Sequence, residues 1–195
     1  MVKLLAWLFW KFNSFIASRL NYQVTNEPTG PALFAFWHGQ SFPVFFWAKH
    51  RKLCIHPTDS WRGDILAFLA EKYKYKVVRY PEKGTPLERS EKISQLLMLL
   101  AAGCDAAIAV DGPPPPLKHH QAKAGIIYLS KKSQLPIVPV GIKMKRKISL
   151  PWRWDKYEIP LPRSGVIINF GNPVIATDKT TTQELEGLLA QLAAE

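Results

Sequence analysis

From residue 32 to residue 193, short β-rich apolar runs alternate with longer stretches of helical periodicity. Strands are expected over Ala32–Trp37, Leu53–His56, Lys76–Arg79, Ala106–Val110, Ile137–Gly141 and Val166–Phe170. Helices are expected over Ser41–Lys49, Gly63–Tyr73, Pro86–Ala101, Gln121–Lys132 and Thr182–Ala193. Leu66, Leu69, Ala70 and Tyr73 recur at helical spacing, as do Ile93, Leu96, Leu97 and Leu100. Such alternation predicts an α/β domain, spanning residues 21–195, with a largely parallel sheet flanked by helices. Two stretches break the pattern. Pro113–Pro116 fits neither helix nor sheet interior and reads as a rigid loop. Residues 143–165 are basic, aromatic and broken by proline, and read as an excursion with one or two short strands, Lys156–Ile159 among them.

A chain of 195 residues makes one domain that buries most of its apolar surface without staples. Cys54 and Cys104 lie in apolar runs without ligand spacing, which excludes a disulfide framework and a zinc module and fits a reducing compartment. The net charge of +11 favours an anionic partner. Seven tryptophans beside that charge suit a membrane interface.

The first 20 residues form a separate unit. Their apolar run, Leu4 to Trp10, is flanked by Lys3 and Lys11 and is far short of the roughly 20 residues that span a bilayer. Ala17-Ser18-Arg19 makes a poor signal-cleavage site. Wound as a helix, Leu4, Trp7, Leu8, Lys11 and Phe15 share one face. This predicts an amphipathic helix lying in the membrane interface. A helix docked on its own domain fits the same residues, and the two are compatible.

In open α/β sheets, sites gather beyond the carboxyl ends of the strands. Three expected strand ends carry polar sequence. His38 follows the first strand directly and precedes a helix, where a near-neutral imidazole can take a proton from an alcohol. The run from Thr58 to Asp64 is dense in hydroxyls and charges. Asp59 or Ser60 can cap the next helix there, Asp59 or Asp64 can orient His38, and Arg62 can meet an anion. Asp111-Gly112-Pro113 is first a turn signal, yet it sets Asp111 at a strand end beside a rigid loop.

Phe36-Trp37-His38-Gly39, Val110-Asp111-Gly112-Pro113 and Pro136-Ile137-Val138-Pro139-Val140-Gly141 are the most specific parts of a wider pattern. With TDSWRGD and KVVRYPEKG between them, their order and spacing over residues 32–175 resemble the lysophospholipid acyltransferase superfamily, in its compact bacterial branch, domain of unknown function 374. The resemblance implies transfer of a fatty acyl group from acyl-CoA or acyl carrier protein to a hydroxyl of a lysophospholipid or related glycerolipid. It implies an acyltransferase-like fold on the cytoplasmic face of the membrane, as a peripheral or monotopic protein. His38 matches the general base. Arg79, Gly84 and the loop after Gly112 fall near the phosphate-binding positions, and Arg62 joins them.

Three positions depart from the family pattern. Pro43 stands five residues after His38, where the superfamily has an aspartate; Arg62 and Pro114 replace an aspartate and an arginine of the compact branch. Asp64 and Asp111 therefore remain as carboxylate partners for His38. No metal and no bound cofactor are implied, because the acyl thioester is a co-substrate. A catalytically inactive lipid-binding protein of the same fold is the alternative.

His119-His120 is unsuited to chelation as an adjacent pair. The run from Lys143 to Lys147, close to Trp152 and Trp154, reads as a membrane-facing rim; no nucleic-acid module accompanies it, and no nucleic-acid partner is expected.

Overall fold

The computed structural model describes residues 2–112 and 120–194. The expected Pro113–Pro116 loop and His119 lie outside the described residues. Helix α1 (Val2–Ala17) leads into strand β1 (Asn21–Thr25), and β2 (Leu33–Phe36) follows. A short 3-10 turn (His38–Gln40) joins β2 to α2 (Ser41–Trp47), and a second (Ala48–His50) leads towards β3 (Leu53–Ile55). Then come α3 (Trp61–Lys72), β4 (Lys76–Val77), α4 (Pro86–Ala101), β5 (Asp105–Ala109), α5 (Gly125–Ser133) and β6 (Ile137–Met144). The chain ends with β7 (Lys147–Ser149), β8 (Glu158–Pro160), β9 (Gly165–Phe170) and α6 (Thr182–Ala194).

Seven strands form one sheet in the order β1-β9-β6-β2-β5-β3-β4, while β7 and β8 form a separate two-stranded ribbon. Strands β6, β2, β5, β3 and β4 run parallel. The expected α/β domain with a largely parallel sheet is what is found. Strand β6 outruns its expected end at Gly141, because β9 returns along it antiparallel, pairing Val140 with Phe170 through Met144 with Val166. Edge strand β1 pairs parallel with β9 and was not expected. Its residues alternate only between exposed and half-buried, so it carries no apolar run to mark it.

The strand side chains divide the core by the two-residue repeat of a sheet. On one face Phe34 and Phe36 pack with Phe46, Trp47, Val140 and Phe170. On the other, Leu33 and Ala35 pack with Leu96 of α4, Ile126 of α5 and Leu189 of α6. Helices thus cover both faces of the sheet, a three-layer architecture. At the amino ends of β2 and β5, buried Asp105 accepts from Ala32 N–H at 2.9 Å and from Arg51 Nε at 2.8 Å. Arg51 also donates to the carbonyls of Pro28 and Gly30. This latch fixes the sheet at the end opposite the polar strand termini.

Helix α1 packs against α3. It buries Ala6, Asn13 and Ile16, and its Ser14 Oγ lies 2.8 Å from the Tyr73 hydroxyl. Leu4, Leu5, Trp7, Leu8, Phe9, Phe12 and Phe15 all remain exposed. The helix therefore docks through Ala6, Asn13, Ser14 and Ile16 and turns most of its large apolar side chains outwards. No helix among the described residues is long and apolar enough to cross a membrane.

Candidate active site

The carboxyl ends of β2, β5, β3 and β4 open on one side of the sheet. His38 follows β2 there and begins the 3-10 turn. Its backbone N–H donates to Asp111 Oδ1 at 2.7 Å, so the turn is pinned from the end of β5. Its ring Nδ1 lies 2.7 Å from Asp155 Oδ2. A carboxylate only accepts, so Nδ1 carries the hydrogen and the Nε2 lone pair is left for another partner. Rings of Trp154 and Tyr157 flank the imidazole at 5.1 and 6.4 Å between centroids.

Asp155 comes from the excursion between β7 and β8. Arg153 grips it with two hydrogen bonds, Nε to Oδ1 and Nη2 to Oδ2, both 2.8 Å. The Asp155 side chain is 0% exposed and that of His38 29%. Burial alone would raise the Asp155 carboxyl; hydrogen bonds from Arg153 and His38 outweigh it and hold the group well below the usual carboxylate range. Asp155 is therefore ionised, and it fixes the ring's tautomer and orientation. The approach of the excursion depends on Gly39. A Cβ there would lie 2.1 Å from the Asp155 carbonyl oxygen.

The expected partners of His38 are thus not the group on its ring. Asp111 is buried and touches the His38 backbone instead. Asp64 sits in the first turn of α3, beside β4, and pairs with Arg79 Nη2 at 2.7 Å. One strand, β5, lies between β2 and β3 and keeps their ends apart. Sequence reading missed Asp155, which is 117 positions from His38 and lies in a stretch without strand-end character. The one signal was its place inside the aromatic excursion, in Trp154-Asp155-Lys156-Tyr157.

A cavity of about 1070 Å³ runs from His38 between the helices. Its lining includes polar Arg153, Ser41 and Thr58 and apolar Phe46, Leu69 and Leu96, the last from the opposite face of the sheet to Phe46. Exposed Phe9 of α1 and Trp61 and Leu66 of α3 also border it, so the cavity meets the outward apolar side of α1. Arg62 lines it and stacks near Trp61. Gly112 lines it too, and its carbonyl accepts from Lys123 Nζ. Burial lowers the Lys123 ammonium, with Asp111 opposing the shift. Arg79 supports the rim from behind: Nη2 reaches the Ser60 carbonyl and Asp64, while Nη1 is buried with no partner among the described residues. Gly84 lies outside the described cavity lining, in the turn before α4, where Thr85 and Glu88 form a reciprocal cap. His56, at the end of β3, lines the cavity with Nδ1 buried and unpartnered among the described residues, and burial lowers its pKa. No cluster among the described residues is suited to a metal ion.

The fold has a structural counterpart. The crystal structure of the 1-acyl-sn-glycerophosphate (LPA) acyltransferase PlsC from Thermotoga maritima superposes with a TM-score of 0.56, over 99% of this chain and 78% of that one. The fold is acyltransferase-like. Sequence identity to that enzyme is 14%. An uncharacterized protein of Rickettsia prowazekii is 25% identical over 150 residues, which span 75% of this chain and 66% of the relative. No family model matches.

Proposed function

We propose that this chain is a membrane-associated acyltransferase of the lysophospholipid acyltransferase superfamily, in its compact branch. It moves a fatty acyl group from an acyl thioester to a hydroxyl of a lysophospholipid or related glycerolipid. One observation carries the reading: a histidine whose Nε2 has no partner among the described residues, braced by an ionised carboxylate, stands where a large apolar cavity meets polar strand ends. The acyltransferase-like fold supports it.

The acceptor hydroxyl is a weak nucleophile until it loses its proton. Nε2 of His38 takes that proton as the oxygen attacks the thioester carbonyl. The carbon–oxygen bond forms, a tetrahedral intermediate results, and the carbon–sulfur bond breaks. The departing thiolate takes the proton back from the imidazolium. Asp155 stabilises the imidazolium while it lasts, as a buried carboxylate does in other base-activated nucleophile systems. The apolar length of the cavity takes the acyl chain. Arg62 and Gly112 on the cavity lining, with Arg79 held by Ser60 and Asp64, receive the phosphate of the acceptor. Acyl-CoA or acyl carrier protein delivers the chain, and no resident cofactor is required. Helix α1 lies in the membrane interface with residues 21–195 as the catalytic domain, on the cytoplasmic face.

The test is product formation. The full chain is incubated with a labelled acyl thioester and a panel of lysophospholipids, lysophosphatidate included. The expected result is an acceptor-dependent diacyl lipid. Lipid binding without transfer to any acceptor would favour an inactive lipid-binding protein of the same fold.

A further inference from the structure

The aromatic excursion has two sides. Its inward side completes the catalytic pair: Asp155 on His38, Trp154 beside the ring, and Tyr157 bonded to Ser41. Its outward side is unpacked. Trp152 is 78% exposed and Ile148 50% exposed. Lys145, Arg146 and Lys147 are exposed beside them. The two tryptophans that sequence places together on a membrane rim are thus split, one outward and one against His38. The excursion is anchored on its inward side, where Asp155 is bonded to His38 and Arg153 and Tyr157 to Ser41. Its outer ribbon pairs only Lys147–Ser149 with Glu158–Pro160, and a two-stranded ribbon by itself is marginal in water. It joins the α1 side of the molecule where Arg163 N–H donates to the Arg19 carbonyl, and Arg146 Nη2 closes its base by donating to the Pro162 carbonyl.

We infer that the excursion is a second membrane contact, in which Trp152 and Ile148 enter an anionic lipid surface and thereby hold Asp155 against His38. This rests on the acyltransferase reading and adds regulation to it: the catalytic pair is assembled best at a lipid surface. A bilayer is the occupant that fits the residues. Amphipathic tryptophan belongs at the headgroup level, and lysine and arginine nearby attract anionic lipid. Only Arg153 and Trp154 stand between Trp152 and Asp155, so a tip fixed in lipid restrains the carboxylate directly.

Amide hydrogen exchange over residues 148–157 tests this without relying on turnover. Wild type and Trp152→Ser are compared with and without vesicles of equimolar phosphatidylglycerol and phosphatidylcholine. In wild type, vesicles should slow exchange of the segment about tenfold; in the variant they should change it little. Acyl transfer supplies the second readout. Monomeric short-chain acceptor should give equal rates for both proteins, whereas acceptor in vesicles should favour wild type by about tenfold. Unchanged exchange in wild type on adding vesicles would overturn the inference. So would equal protection of the variant, or protection by an acidic acyl carrier protein in place of vesicles. Absence of transfer by wild type beside normal vesicle protection would refute the acyltransferase reading and leave the membrane contact standing.

Discussion

At the scale of single residues, His38 and Asp155 differ in how they are found. His38 is legible because it directly follows an apolar strand, and strand ends in this fold class face the site. Asp155 is hidden, because the segment that carries it has no helical or strand period, and only folding brings it to His38. Its role makes a sharp prediction. Asp155→Asn keeps the size of the side chain and removes its charge, so acyl transfer should fall by at least about tenfold. Asp64→Asn, which unpairs Arg79 on the far rim, should cost turnover less and raise KM for phosphate-bearing acceptors more. Steady-state kinetics of the two variants separates these roles. The same carboxylate links stability to pH. Asp155 ionises below its ordinary value in the folded state, so the unfolded chain binds the extra proton first. Its stabilising contribution is full above about pH 4 and is lost as pH falls below it. His56, buried and held neutral, acts in the same direction from about pH 6.5 downwards. Melting temperatures should therefore fall with acid from about pH 6.5 to below about pH 4, and Asp155→Asn should flatten the part of the fall below about pH 4.

At the scale of elements, periodicity works where a segment has one buried face. Helices α3 and α4 were legible for that reason, and the central strands, buried on both faces, were legible as continuous apolar runs. Strand β1 was not, as its side chains are half in water on both faces. The excursion was legible as an interruption but not as a part of the site. Gly39 shows what its docking demands. The backbone of Asp155 occupies the space a side chain would need, so Gly39→Ala should push the excursion away from His38. Transfer should then fall by about tenfold or more, while the sheet stays folded. Activity and circular dichroism measured together check this. An active Gly39→Ala protein would mean that the excursion need not approach so closely. The Arg51–Asp105 latch at the other end of the sheet is structural. Breaking it with Asp105→Ala leaves Arg51 only Glu27 and the Pro28 and Gly30 carbonyls and leaves the Ala32 N–H without its acceptor, and should cost about 1–3 kcal/mol of stability in chemical denaturation.

At the scale of the molecule, charge and exposed apolar surface point to the same partner. The seven large side chains that α1 leaves outside would be a liability in water, and they border the cavity through Phe9. The +11 charge adds long-range attraction to anionic lipid. Both contributions are separable. Binding to anionic vesicles should weaken as salt rises, since exposed charges are screened within about 8 Å at physiological ionic strength. Deleting residues 2–19 should remove the apolar part and shift the protein towards the soluble fraction. Equal co-sedimentation with neutral and anionic vesicles at both low and high salt would contradict the electrostatic part. An unchanged partition after deletion would contradict the anchor.

The central claim is that His38 removes a proton from an acceptor hydroxyl. It is tested most directly by the turnover of labelled acyl thioester to lysophospholipid by wild type and His38→Ala under the same conditions. The account predicts a loss of roughly 10²-fold or more, with the melting temperature little changed, because the imidazole is partly exposed at the cavity and supports catalysis more than packing. Equal turnover by the two proteins would contradict it.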